Sequence, residues 1–166
     1  MRSQLIIAAS MLLAAPVVAQ PAVTTVLPSV VLADAAEVQA VIAKVKASQK
    51  PGQPSGTSQP LVSVPGYRTM VEYRTAPTPA SIHDNESELI YVVEGSGSMT
   101  LGGTLNDAKR SNPANQQGSG VTGGTSHALA KGSFMFIPAG TAHYFASIGK
   151  TGLAIVTLKV PTTTPS

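Results

Sequence analysis

From Leu61 to Val160 the sequence is a succession of short β-rich runs separated by turn residues. The runs are Leu61–Val64, Thr69–Thr75, Leu89–Val93, Ser98–Leu101, Ser133–Ile137, His143–Ser147 and Leu153–Val160. Many short strands with no helix among them argue for an all-β sandwich or barrel. The 15 Gly and 13 Pro supply the turns that such a fold needs. One segment breaks the rhythm. Residues 102–126 (GGTLNDAKRSNPANQQGSGVTGGTS) are rich in Gly, Asn, Ser and Gln and predict a long surface loop, of the kind that serves as a lid or stays mobile.

Ahead of the strands, residues 33–49 predict one helix. Val38, Val41, Ile42 and Val45 form an apolar stripe at helical spacing, Asp34 offers an N-cap, and Lys44, Lys46 and Lys50 suit the C-terminal end of the helix dipole. The polar face is too sparsely charged for a membrane-surface helix, so a flank-packed helix is expected. Residues 51–60 (PGQPSGTSQP) predict a linker. At the start of the chain, Met1-Arg2, an apolar stretch from Leu5 to Ala15 and small residues up to Ala19 have the pattern of a secretory leader. Its apolar run is too short to span a bilayer comfortably, and Pro16 interrupts it. The expected division is therefore 1–19 leader, 20–60 helix and linker, and 61–160 β-domain, with a periplasmic or secreted location and no membrane attachment after cleavage. The formal net charge of +3, from scattered basic residues, argues against a nucleic-acid partner. The chain has no Cys, so neither disulfides nor thiolate metal sites enter the argument.

Chemistry concentrates in two clusters. Ser81-Ile82-His83-Asp84-Asn85-Glu86-Ser87-Glu88 leads into an apolar run, and Gly132, Pro138, Ala139 and Gly140 lead to His143. His83 and Glu88 are five apart, so on one unbroken strand they would face opposite sides. A hairpin at Asp84-Asn85 would let both point into one interior. Pro138-Ala139-Gly140 is also a turn, with His143 opening the next strand. Two imidazoles and a carboxylate suit a divalent ion such as zinc, iron, manganese, nickel or copper.

These clusters resemble the two motifs of the cupin superfamily. Glu88 stands with Gly95 at the spacing of the first motif, and His83 matches its second His. The first His is replaced by Ser81 and the leading Gly by Thr75. Gly132, Pro138, Gly140 and His143 all match the second motif, whose closing Asn is Ser147 here. The resemblance implies an all-β fold, a double-sheet jelly-roll barrel with the metal inside, over about residues 61–160. It implies His83, Glu88 and His143 as metal ligands and a small-molecule ligand or substrate. Dioxygenase, isomerase and lyase chemistry are the classes that fit it. It is also compatible with a homodimer paired through the sheets. With Ser81 in place of an imidazole, two alternatives stay open. One is a metal site of two His and one carboxylate with open positions. The other is a barrel that binds a small molecule, such as a sugar, without metal or catalysis.

Other polar residues read as structural. His127 is expected to be a solvated loop histidine, and Asp84 and Glu86 water-facing turn residues. Tyr73 and Arg74 lie on the strand before the first motif; one of them could line a pocket and hold an anionic substrate, but an exposed strand face is the expectation.

Overall fold

The computed structural model describes residues 31–162. The leader-like residues 1–19 lie outside them. Helix α1 spans Ala35–Ala47, and its start is capped as expected: the Asp34 carboxylate accepts from the Glu37 N–H, and the Glu37 side chain accepts from the Asp34 N–H. Among the described residues no helix is long and apolar enough to cross a membrane.

The strands are β1 (Gln59–Val64), β2 (Tyr67–Arg74), β3 (Ala80–His83), β4 (Glu86–Leu101), β5 (Thr104–Asn106), β6 (Lys109–Asn112), β7 (Asn115–Gly118), β8 (Gly120–Thr122), β9 (Thr125–Ala130), β10 (Phe134–Ile137) and β11 (His143–Pro161). Two of them organise the rest. β4 and β11 pair antiparallel along both their halves, with a register break between Ile148 and Leu153. Residues 86–95 of β4 and 153–161 of β11 lie between β10 and β2, which gives one sheet of order β1-β2-β11-β4-β10. Residues 97–101 of β4 and 143–148 of β11 lie between β9 and β3, which gives a second sheet of order β9-β4-β11-β3-β7-β6. β5 and β8 form a separate two-stranded ribbon.

The core lies between the sheets. Ile90, Val92, Met99, Leu129, Ile137, Phe145, Leu153 and Ile155 pack there, all nearly inaccessible to water. Full burial of each such side chain contributes about 1.5–3 kcal/mol before entropy is charged against it. The other face of the first sheet carries α1, whose Ile42 and Val45 bury Val71 and Ala154. Hence Leu153, Ala154 and Ile155 are all buried in succession: alternate residues face the core and the helix.

Two sequence expectations need correction. Residues 102–126 are not a structureless loop but contain β5 to β8 and the start of β9. Their side chains are mostly exposed or half-buried, so no apolar alternation marks them, and backbone pairing holds them in place. Residues 51–60 are not a free linker either. Gly56 N–H donates to Tyr73 O, Thr75 N–H donates to Pro54 O, and Ser55 bridges to Arg74 along the edge of β2.

Candidate metal centre

The two chemical clusters meet where the sheets face each other. The expected hairpin at Asp84-Asn85 is instead a turn between sheets. β3 pairs with β7 and β11, whereas the start of β4 pairs with β10 and β11. β11 serves both sides: His143 lies opposite Ser81, and Lys159 lies opposite Glu88. The Pro138-Ala139-Gly140 turn crosses this junction. Gly140 N–H donates to His83 O at 2.8 Å, with Gly140 at φ +75°, a conformation that glycine adopts without strain. Ala139 N–H donates to the Ser87 hydroxyl at 3.2 Å.

His83, Glu88 and His143 converge as the sequence predicts. Each offers one ligand atom, and the three atoms lie within 4.8 Å of one another. Glu88 Oε2 is 3.4 Å from His143 Nε2 and 3.8 Å from His83 Nε2. Two atoms bonded to one ion at about 2.1 Å can stand at most about 4.2 Å apart, so the set fits one ion after slight contraction. Glu88 and His143 are buried and His83 nearly so.

The outer partners of the imidazoles sharpen this fit. His143 Nδ1 lies 2.9 Å from the Thr141 carbonyl, which can only accept, so Nδ1 carries the proton. His83 Nδ1 meets Asn115 Oδ1, while the Asn115 amide nitrogen donates to Asn112 Oδ1. With both Nδ1 atoms acting as donors, both Nε2 atoms turn toward the Glu88 carboxylate. Such a group of electron pairs needs a cation between them, either protons or a metal ion. Burial pushes the Glu88 carboxyl up, but the hydrogen bond from His143 and the charges of His143, His83 and Lys159 outweigh it and hold Glu88 below the usual glutamate range.

A cavity of about 190 Å³ opens beside the cluster, lined among others by Glu72, Arg74, Ser81 and Lys159. Arg74 therefore does not lie on an exposed strand face, as its sequence context suggested: its side chain is 17% exposed and pairs with Glu72. Tyr73, on the opposite face of β2, is half-buried against the α1 packing layer, and its hydroxyl donates to Thr151 O. Asp84 and Glu86 are tied rather than free. Asp84 accepts from Arg110 and Gln116, which hold its carboxyl below the ordinary aspartate range. Glu86 lies 3.5 Å from the Lys159 ammonium. His127 is exposed, as expected, but on strand β9 rather than in a loop, and it stands outside the cluster.

Two residues that the sequence did not flag border the cluster, and each carries a prediction. Asn115, inside the stretch expected to be a loop, orients His83. Asn115→Ala is expected to weaken metal binding about 10–100-fold, the usual cost of losing a group that orients a ligating imidazole. Metal titration of the folded variant checks this, and an unchanged affinity would refute the orienting role. Lys159 places its ammonium 3.4 Å from His83 Nε2, where it would compete with a metal cation. Lys159→Met is expected to tighten metal binding about tenfold, because a like charge within a few ångströms is removed. Competition against a chromophoric chelator reads the change directly, and a weakened affinity would show that Lys159 supports the ion instead.

The fold and the cluster together define a small double-sheet β-barrel with an interior His/Glu/His site. Residues 62–164 match the cupin family, and the chain belongs to it. Among solved structures it is similar to BH2720 from Bacillus halodurans, at 16% identity and a TM-score of 0.51, over 86% of this chain and 87% of that one. It is also similar to KdgF from Halomonas sp., at 15% identity and a TM-score of 0.46, over 67% of this chain and 84% of that one. A recombinant oxalate oxidase in complex with glycolate shares 17% identity at a TM-score of 0.49, over 71% of this chain and 57% of that one. At these identities the likeness speaks to the fold alone. No curated protein matches the chain.

Proposed function

We propose that this chain is a metal-dependent cupin acting on a small molecule, with one divalent ion held by His83, Glu88 and His143. The observation that carries this reading is the convergence of three ligand atoms within 4.8 Å, with both imidazoles fixed from behind so that Nε2 faces inward. Such an ion, whether iron, zinc, manganese or nickel, would polarise an oxygen of the substrate and leave open positions for it. The protein's own part is to hold the ligands on the cavity's lining and to present Ser81, Arg74 and Lys159 beside them. Dioxygenase, isomerase and lyase chemistry all fit that arrangement. The leader-like residues 1–19 support export, so the natural sample is the protein recovered from the cell envelope or the medium.

The test is elemental analysis after all four ions have been offered to the purified protein. Near-stoichiometric uptake of one of them is expected, and uptake of none would refute the reading. One observation favours a second reading, a metal-free ligand-binding module. The Lys159 ammonium already faces His83 Nε2 and could answer its lone pair without a metal. That reading requires ligand-induced thermal stabilisation that survives chelation.

A further inference from the structure

The cavity beside the cluster has walls that the metal reading does not use. Arg74 is the first of them. A guanidinium offers five N–H donors. Here one nitrogen meets a Glu72 carboxylate oxygen, another meets the Thr78 hydroxyl at 3.1 Å, and Nε is buried without an acceptor among the described residues. The group lies 4.4 Å from the centre of the buried Phe145 ring, which fixes its plane. The result is a rigid, partly answered cation inside a small cavity. Lys159 is the second. Its ammonium has only two long contacts among the described residues, 3.5 Å to Glu86 and 3.4 Å to His83 Nε2. Lys159 and Glu72 also line a neighbouring groove of about 720 Å³, so Lys159, with its side chain 40% exposed, borders both that groove and the cluster's cavity.

Charge then decides what fits. Within the cavity Glu72 and Glu88 balance Arg74 and Lys159. A divalent ion adds two positive charges to that balanced set. Even when Glu86, which lies 3.5 Å from Lys159 and lines the neighbouring groove, is included, positive charge remains unanswered. Size narrows the choice. A water takes about 30 Å³ of liquid volume, so 190 Å³ holds about six waters, or a ligand of similar bulk.

We infer that the cavity recognises a small carboxylate, held through its anionic group by Arg74 and Lys159 beside the His83, Glu88 and His143 cluster. This rests on the metal reading, since the metal supplies the unanswered charge. The planar fork of Arg74 matches a carboxylate, which a neutral isostere cannot imitate.

The test uses the full chain loaded with its divalent ion, with metal content measured on every sample. Acetate, lactate, malonate and lactamide are titrated calorimetrically. Lactamide has nearly the shape of lactate without the charge. Lactate is expected to bind about tenfold tighter than lactamide or better, as charge-assisted hydrogen bonds allow. Lys159→Gln, and separately Arg74→Lys, which keeps the Glu72 pair but loses the fork, are each expected to cut that preference by about tenfold without loss of metal. Equal binding of lactate and lactamide would overturn the inference and leave the metal reading standing. So would the absence of saturable carboxylate binding to loaded protein, or preferences unchanged in both variants. A protein that takes up no metal overturns both.

Discussion

Replacing His143 with alanine is expected to abolish stoichiometric metal binding while leaving the fold intact. The loss should exceed the 10–100-fold expected for Asn115→Ala, because a ligand is removed and not merely an orienting group. His143 is well placed for a clean result. It is 7% exposed, yet it lies outside the principal core cluster, so its removal leaves Ile90, Val92, Ile137 and Ile155 packed as before. The local cost is the Thr141 carbonyl losing its donor, about 1–3 kcal/mol. Two readouts separate site from fold. Bound metal at about a hundred times its dissociation constant stabilises a protein by about 2.7 kcal/mol, so the wild type should melt several degrees higher when metal is added. His143→Ala should lose that increment and the metal content together. Glu88→Gln should do the same, since it removes the only anionic donor of the set. A metal-dependent increment that persists in both variants would place the ion elsewhere.

The sequence revealed the cluster because its members sit beside turns and at the spacing of the two cupin motifs they resemble. Pro138, Gly140, Asp84 and Asn85 mark chain reversals that can be read without knowing which strands pair. His83, Glu88 and His143 were therefore recognisable, although the turn at Asp84-Asn85 joins two sheets and not the arms of a hairpin. Most residues around them were not recognisable, for a different reason. Lys159 meets the site because β11 pairs with β4 in a register that puts it opposite Glu88, and nothing local to Lys159 encodes that register. Arg74 could have lined a pocket, but its strand context favoured an exposed face. It is enclosed because both neighbouring strands, β1 and β11, and the 54–56 segment close around β2. Asn115 lies in a segment whose composition suggested a loop, because strands that bury little need no apolar alternation. The helix was legible for the opposite reason: its apolar stripe and its cap are both local.

The same long-range geometry gives the largest expected effect on stability, at Gly95. Gly95→Ala is expected to destabilise the protein by about 3 kcal/mol or more, and to lower its melting temperature by roughly 10 °C. Two separate causes add. Gly95 has φ +84°, a conformation that L side chains rarely adopt. A Cβ there would also overlap the Gly152 carbonyl oxygen, which belongs to backbone and cannot rotate away. Gly132→Ala separates the causes. Gly132 has φ +88°, but nothing lies within 4 Å of the place its methyl group would take, so only the conformational cost of about 1–3 kcal/mol applies. Equal melting shifts for the two variants would show that the clash is relieved freely and that the close approach is unimportant. The approach matters because Gly95 and Gly152 lie where β4 and β11 pass from one sheet to the other. Glu88 belongs to the first sheet, and His83 and His143 to the second. A forced shift at this crossing moves the sheets that carry the ligands. Gly95→Ala should therefore weaken metal binding below the melting range, whereas Gly132→Ala should not. This links the spacing of Glu88 and Gly95 in the sequence to the convergence of the cluster.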